Sequence, residues 1–177
     1  MYLISLYFDE KTNKLINRYI ERIAQKSGNR FMTDNKVPPH MTISAIEAKS
    51  IDELIDPFEE VCKKLHSSQI MFVSTGQLLP YVFYITPVMN SYLTDMNKIT
   101  YDEYSKISDI KISRYYRPNS WLAHVTLAKT LSKDQQMTAL DVMLSDFSPF
   151  EALVSRIGLS RVNPHEDVRT HILDRLI

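Results

Sequence analysis

A short pattern that occurs twice in strand-like surroundings constrains this chain more than any other feature. The segment PPHMTISAI, residues 38–46, contains His-Met-Thr-Ile beginning at His40, and WLAHVTLAK, residues 121–129, contains His-Val-Thr-Leu beginning at His124. Side chains two positions apart in a β-strand point to the same face, about 6.5–7 Å from each other. Each segment therefore predicts a strand with an apolar face toward a core and an imidazole–hydroxyl pair on the opposite face.

The two copies lie 84 positions apart, a little under half of the 177 residues, which favours an internal structural repeat. Hydrophobic periodicity and turn residues predict the order β-α-β-α-β-β followed by α-β-α-β-β, so the second half repeats the first without its opening strand. We therefore predict one domain, 1–177, of two lobes with pseudo-twofold symmetry, roughly 1–87 and 88–177. Hairpins combined with helices favour an α+β fold with mostly antiparallel sheets.

The individual elements follow from the same patterns. The predicted strands span residues 2–8, 40–46, 69–75, 81–87, 122–129, 150–162 and 169–177. The first helix is predicted to follow Asp9 and end near Gly28, and the other helices span about 51–65, 88–107 and 134–144. Residues 29–39 and 108–120 are predicted to be loops, and Gly76 and Pro80 are predicted to lie in a turn between two strands.

Composition excludes several functional classes. The formal charge is zero, with 21 basic and 21 acidic residues, so no overall positive field attracts long nucleic acids or anionic membranes. The single cysteine, Cys62, excludes an internal disulfide and is typical of a reducing cytosol. No apolar run approaches the roughly 18 residues of a membrane span, and no glycine-rich phosphate loop is present. We therefore expect a cytoplasmic protein, a monomer, that binds small or terminal anionic ligands at a local site.

The paired motifs suit the chemistry of a phosphodiester. If the two lobes face one another, His40, Thr42, His124 and Thr126 meet across a central cleft. One neutral imidazole can then accept a proton from an attacking water or hydroxyl, while the other, as imidazolium, donates a proton to the leaving oxygen. The threonine hydroxyls can donate hydrogen bonds to the non-bridging oxygens. This scheme requires no metal and no cofactor, and it leaves open which histidine is the acid.

The sequence context of the other histidines in the chain predicts that they are exposed or structural. His66 is followed by two serines, but it lies at a predicted helix end without alternating apolar neighbours, where a histidine interacts with the helix dipole and solvent. His165, in the turn NPHED, is predicted to be exposed, and His171 is predicted to be structural or exposed. Lys129 is predicted to face solvent. The sequence contains no HExxH or similar metal-ligand spacing.

The segments PPHMTI and WLAHVTLAK, together with the opening LISLYFDEKTNKLINRYIERI, resemble the 2H phosphoesterases. This family includes the bacterial and archaeal RNA 2′,3′-cyclic phosphodiesterases that are also called 2′-5′ RNA ligases. The resemblance implies a two-lobed fold with outer helices and both motifs in the central cleft. It implies that His40 and His124 are the acid–base pair, that Thr42 and Thr126 bind the phosphate, and that no metal takes part.

A basic and aromatic segment, KISRYYRPNSW at 111–121, leads into the second motif. Arginine and aromatic side chains together can hold a phosphate and stack on a base. We therefore expect substrate contacts from four of its side chains: Tyr115, Tyr116, Arg117 and Trp121. The alternative is a surface loop whose rings pack on the neighbouring helix.

The leading hypothesis is a metal-independent phosphodiesterase that opens 2′,3′-cyclic phosphates on RNA ends or small nucleotides. Within the same class, a 2′-5′ linked oligonucleotide or a cyclic phosphate of ADP-ribose remains open as the substrate. A second hypothesis is a module that binds a phosphorylated nucleotide or RNA end without turnover. A third is a structural or interaction protein in which the motifs are vestigial, with both histidines hydrogen-bonded inside a core.

Overall fold

The computed structural model describes residues 1–162 and 165–175. Its strands are β1 (Tyr2–Phe8), β2 (Met41–Glu47), β3 (Ser68–Leu78), β4 (Val82–Pro87), β5 (Lys111–Ile112), β6 (Val125–Ala128), β7 (Phe150–Arg161) and β8 (Glu166–Ile172). Its helices are α1 (Glu10–Ser27), α2 (Phe31–Asp34), α3 (Asp52–Cys62), α4 (Ser91–Tyr104) and α5 (Lys133–Asp146), with a 3₁₀ turn at Arg114–Tyr116. Within the described ranges, no helix is long and apolar enough to cross a membrane.

The strands form one sheet in the order β5-β2-β1-β7-β3-β4-β6, and β8 pairs with β7. Each pair of neighbouring strands is antiparallel. The long strand β7 joins the strand group β5-β2-β1 to the group β3-β4-β6, since its first part, from Phe150 to Val154, pairs with β3 and its second part, from Val154 to Arg161, pairs with β1. The predicted α+β class with antiparallel pairing is therefore confirmed, and both strand groups belong to one continuous sheet.

The first strand and helix show how the sequence produces this arrangement. The Asp9 carboxylate accepts a hydrogen bond from the backbone N–H of Thr12 at 3.0 Å and caps α1, and Gly28 ends the helix in the left-handed conformation at φ 73°. Such caps each contribute about 1 kcal/mol to helix stability. The buried face of α1, which includes Ile16 and Ile23, packs into the apolar core. The sequence prediction for this unit is confirmed.

Alternation along β1 separates the core from the face that carries the histidine motifs. Ile4, Leu6 and Phe8 belong to the apolar core cluster. Because neighbouring strand residues point to opposite faces, the intervening Leu3, Ser5 and Tyr7 lie on the other side of the sheet. Ser5 is paired there with Thr42 of β2. The polar face predicted for the first motif thus continues onto β1.

Some predicted boundaries are wrong. β3 continues to Leu78, and Gly76 lies inside the strand rather than in the turn. A Cβ atom at Gly76 would overlap the Tyr84 side chain on β4, so glycine serves here to admit a neighbouring ring. The predicted loops also contain α2, β5 and the 3₁₀ turn. β8 begins and ends earlier than the predicted strand 169–177, and residues 176–177 lie outside the described residues.

Candidate active site

His40 lies immediately before β2, and its orientation is set by a backbone carbonyl. Its Nδ1 is 2.8 Å from the carbonyl oxygen of Pro38. A carbonyl oxygen can only accept a hydrogen bond, so Nδ1 carries the proton in this contact. In the neutral ring, Nε2 is then the unprotonated nitrogen. The local turn that opens β2 therefore prepares the His40 imidazole to accept a proton at Nε2.

His124 repeats this arrangement immediately before β6. Its Nδ1 is 2.8 Å from the carbonyl oxygen of Leu122, again two residues earlier in the chain. The same argument assigns the proton to Nδ1 and leaves Nε2 free in the neutral ring. Both predicted strands thus start later than the sequence pattern indicates, at Met41 and Val125, because the backbone before each strand turns to bind its own histidine.

Thr42 lies at one end of a row across three strands. It is opposite Ser5 on β1, which is opposite Gly158 on β7. The Thr42 and Ser5 hydroxyl oxygens are 3.3 Å apart and both side chains are buried. The Tyr7 ring packs over Gly158, where a Cβ atom would lie 2.8 Å from the ring, and its centroid is 6.2 Å from that of His40. The first motif therefore has an aromatic neighbour, Tyr7, whose ring occupies the space left by the absent side chain of Gly158.

Thr126 lies at the end of the corresponding row on the other half of the sheet. It is opposite Tyr84 on β4, which is opposite Gly76 on β3. The Tyr84 ring packs over Gly76, and its centroid is 5.2 Å from that of His124. Thr126 is half-buried, and within the part of the chain that the structure describes its hydroxyl makes no hydrogen bond. The second motif thus repeats the aromatic ring and the glycine, but with a free hydroxyl.

A cavity of about 620 Å³ is lined by His40 from the first motif and Thr126 from the second, whereas Thr42 and His124 are not among its lining residues. Trp121, three residues before His124, donates a hydrogen bond from Nε1 to the carbonyl oxygen of Thr42 at 2.9 Å. The segment that leads into the second motif is therefore bound directly to the strand that carries the first. The arrangement brings one histidine, one threonine and a shared cavity together from the two halves of the chain.

Burial lowers the pKa of both imidazoles. For His40, burial is the largest cause, repulsion by His165 and His124 adds to it, and the hydrogen bond to Pro38 opposes it. For His124, burial lowers the pKa and the hydrogen bond to Leu122 opposes it. The pKa values of both rings therefore lie below the ordinary 6.5 of histidine.

No model of a known protein family matches this sequence, and no curated protein matches it. Solved structures do match it over nearly their whole length. E. coli LigT in complex with 3′-AMP is 13% identical, with a TM-score of 0.67 over 97% of each chain. A phosphoesterase gives 12% identity and a TM-score of 0.67 over 98% of each chain, and TT0787 of Thermus thermophilus gives 12% and 0.67 over 99% of each. The chain has the LigT-type phosphoesterase fold. The resemblance seen in the two motifs is thereby confirmed for the fold.

The four residues expected to bind substrate lie in the segment between β5 and β6. Tyr115 and Arg117 are exposed, and the guanidinium of Arg114 lies 4.9 Å from the Tyr115 ring centroid. The carbonyl of the half-buried Tyr116 accepts a hydrogen bond from the Asn97 amide at 2.9 Å. Trp121 binds the backbone of the first motif, as described above. Within the described residues, none of these four lines the cavity.

The cavity is lined by residues of the α2 segment, by the start of β1, and by the chain that follows β6 and β7. Its lining comprises His40, Thr126, Met1, Leu3, Phe31, Met32, Asn35, Val37, Lys129, Val162 and His165. Lys129 is exposed to solvent as predicted, but its ammonium also lies 5.6 Å from the Phe31 ring centroid at the cavity. Nothing in the residues FMTDNK, 31–36, predicts that the α2 segment forms part of a site.

His165 is not the exposed turn histidine that the sequence predicts. Its ring stacks on that of His40, with centroids 5.6 Å apart and planes 25° apart, and only 16% of its side chain is exposed. The cause is a hydrogen bond of 2.7 Å from the Tyr7 hydroxyl to Asp167, which holds the β7–β8 hairpin against the site. His171 is exposed, in agreement with the prediction. Among the described residues, no group of three or more His, Cys, Asp or Glu side chains is placed to hold a metal.

Proposed function

We propose that this chain is a metal-independent phosphodiesterase that opens 2′,3′-cyclic phosphates on RNA ends or small nucleotides, with His40 and His124 as its acid–base pair. The observation that carries the proposal is the matched presentation of the two imidazoles. Each is fixed at Nδ1 by the carbonyl two residues earlier, and each precedes a strand whose next outward side chain is threonine. This arrangement occurs in a fold shared with LigT and other phosphoesterases.

The proposed reaction is an in-line attack by water on phosphorus. The neutral histidine accepts a water proton at Nε2 as the new P–O bond forms. The bond from phosphorus to the 2′ or 3′ oxygen breaks, and the protonated histidine donates its Nε2 proton to that oxygen. The pair then exchanges its proton with solvent and returns to the starting state. A ring held at Nδ1 by a carbonyl is oriented for either role, because its Nε2 is the exchanging position.

The two threonines stabilise the negative charge that accumulates on the phosphorane oxygens. The Thr126 hydroxyl lines the cavity without a hydrogen-bond partner among the described residues, so it can donate to a non-bridging oxygen without losing another contact. Thr42 shares its hydroxyl with Ser5, and the two together form a short donor chain. Preorganised donors of this kind typically contribute a factor of about 10²–10³ each to the rate.

The walls of the cavity fit a nucleotide. Its volume of about 620 Å³ falls in the range of ligand sites that enclose small organic molecules. Apolar surface from Phe31, Met32 and Val37 can cover the face of a base, while Lys129 and Asn35 supply polar groups at the same site. LigT has been crystallised with 3′-AMP, NADP⁺ and ATP. For the present chain we infer a nucleotide or the terminal nucleotide of an RNA.

The test is turnover of 2′,3′-cyclic nucleotides by the purified protein in EDTA, with products resolved by chromatography. We expect the wild type to release a 2′- or 3′-monophosphate. His40→Ala and His124→Ala should each abolish nearly all turnover, while His171→Ala, an exposed histidine outside the cavity, should leave it unchanged. Equal rates in all four proteins would disprove the assignment.

The same assay separates the remaining alternatives. Cleavage of 2′-5′ linked oligonucleotides or of an ADP-ribose cyclic phosphate, without cleavage of the simple cyclic nucleotides, would retain the acid–base pair and change the substrate. Calorimetric binding of a nucleotide without product would establish the non-catalytic module.

A further inference from the structure

His165 covers one side of the proposed catalytic histidine. Stacking of its ring on His40, at 5.6 Å between centroids and 25° between planes, is the closest ring-to-ring arrangement that the described residues give His40, since Tyr7 lies at 6.2 Å and 42°. His40 and His165 line the same cavity. The His40 imidazole is held along one edge by its Nδ1 hydrogen bond to Pro38, and a single edge contact leaves the ring free to tilt. A stacked neighbour limits that tilt.

Hydrogen bonding fixes the position of His165 itself. The Tyr7 hydroxyl donates to Asp167 Oδ1 at 2.7 Å. Nε2 of His165 lies 3.4 Å from the same carboxylate oxygen and 3.5 Å from the Tyr7 oxygen. The carboxylate can only accept, and the Tyr7 proton is already directed to Asp167, so both neighbours act as acceptors toward His165. Nε2 of His165 therefore carries a proton and points toward Tyr7 and Asp167.

Tyr7 is a rigid anchor for this group. Its ring is almost completely buried, the guanidinium of Arg156 lies 4.5 Å from its centroid, and Gly158 leaves the space that the ring occupies. Burial and the neighbouring Asp167 carboxylate raise the pKa of Tyr7, so its hydroxyl stays protonated and continues to donate. The series of contacts Tyr7–Asp167–His165 thus connects strand β1 to the face of the His40 ring.

We propose that His165 is a positioning residue for His40, which it holds in the plane required for proton transfer through the anchor formed by Asp167 and Tyr7. The proposal rests on the function proposed above for its catalytic consequence. The contact itself, and its effect on His40, do not depend on which substrate the cavity accepts.

The charges around His40 give this contact a measurable signature. His165 and Asp167 face it from the β7–β8 hairpin, His124 from the start of β6, and the neutral Tyr7 from β1. Burial and repulsion by His165 and His124 lower the pKa of His40, whereas the Asp167 carboxylate raises it. Removal of the His165 ring takes away part of the burial and one repulsive charge, and both changes raise the pKa of His40.

The test is the titration of His40 by NMR, followed at its ring C–H signals in wild type, His165→Ala, His165→Phe and His171→Ala. This measurement needs no turnover. We expect the pKa of His40 to rise in His165→Ala by on the order of half a pH unit or more. The rise should be smaller in His165→Phe, which keeps a ring against His40 and preserves its burial. His171→Ala, exposed on the same hairpin, should titrate like the wild type.

Steady-state kinetics of the wild type and the His165 variants complete the test. We expect kcat/KM to fall roughly tenfold or more in His165→Ala through kcat, with partial recovery in His165→Phe, since misplacement of a catalytic group is costly. An unchanged His40 titration in both His165 variants would overturn the proposal. A raised pKa with unchanged kcat would also overturn it, because the contact would then be structural only. If the wild type has no activity on any cyclic phosphate while the pKa rises, the proposed function fails and the contact with His40 stands.

Discussion

The two His-x-Thr sites share their local geometry and differ in what surrounds it. Each histidine has its Nδ1 2.8 Å from the carbonyl two residues earlier. His40, however, is covered by the His165 ring, whereas His124 faces Tyr84 and is not paired with a third histidine among the described residues. Motifs of the same pattern thus produce the same tautomer, while the neighbouring strands make the two imidazoles chemically distinct.

The threonines differ in the same way. The Thr42 hydroxyl is buried and 3.3 Å from that of Ser5, while Thr126 is half-buried at the cavity. The residue opposite each threonine causes this difference, since it is serine on β1 and tyrosine on β4. A serine can share a hydrogen bond with its cross-strand neighbour, but the Tyr84 side chain extends over Gly76 and leaves Thr126 free.

The largest effect should come from removing either of the two proposed catalytic imidazoles. If His40 and His124 act as one proton-transfer unit, His40→Ala and His124→Ala should each lower kcat/KM about 10²–10⁴-fold. The double variant should then be little worse than either single variant, because groups that act as a unit are non-additive. Steady-state kinetics on a cyclic nucleotide measure this. Losses that multiply in the double variant would show that the two sites work independently.

Valine substitution of the two threonines should separate their roles. Thr126→Val removes a free donor at the cavity, and we expect kcat/KM to fall about 10²-fold with little change in stability. Thr42→Val leaves the buried Ser5 hydroxyl without its partner, so we expect the free energy of unfolding to decrease by about 1–3 kcal/mol. Kinetics and urea unfolding of both variants measure the two effects. Equal losses of stability in the two variants would contradict the asymmetry.

The two glycines offer a smaller perturbation of the rings behind the sites. A Cβ atom at Gly76 would overlap the Tyr84 side chain, and one at Gly158 would lie 2.8 Å from the Tyr7 ring. We expect Gly76→Ala and Gly158→Ala each to lower the free energy of unfolding by about 1–3 kcal/mol, as overpacking does in a close-packed interior. Thermal or urea unfolding measures this. In the double variant Gly76→Ala/Tyr84→Leu, the smaller side chain should recover part of the loss, and no recovery would contradict the contact.

Local features of the sequence predicted the motif strands and the first helix well. Apolar residues alternate with His40 and Thr42, and with His124 and Thr126, so the faces of both strands follow from the period of two. Asp9 and Gly28 mark the ends of α1 with side chains and backbone freedom that act within a few residues. In each case the interaction that decides the structure is short-range in the chain.

Long-range contacts decided what the sequence could not predict. The contact between His165 and His40 depends on the pairing of β7 with β8 and on the bond between Tyr7 and Asp167, which joins residues 160 positions apart. Gly76 lies in a strand because a ring from β4 covers it, although glycine by itself favours turns. The α2 segment reaches the cavity through packing alone. A turn histidine and an apolar loop carry no local pattern that reports such contacts.

The smallest expected effect concerns acid stability. A histidine whose pKa is lowered in the folded state binds fewer protons there than in the unfolded chain, so its neutral form stabilises the fold above the unfolded pKa near 6.5 and this contribution is lost as the pH falls below that value. His40 and His124 both act in this direction, and each contributes about 1.4 kcal/mol for every pH unit by which its pKa is lowered.

The two histidines should contribute unequally to this loss of stability at low pH. His40 has two further histidines acting on its pKa, whereas burial alone lowers that of His124. His40→Gln should therefore reduce the loss of thermal stability between pH 7.5 and pH 5 more than His124→Gln does. Thermal unfolding across this pH range measures the difference. If His124→Gln removed the larger share of the acid sensitivity, the surroundings of the two rings would not differ as the structure indicates, and the contact between His165 and His40 would lose its electrostatic support.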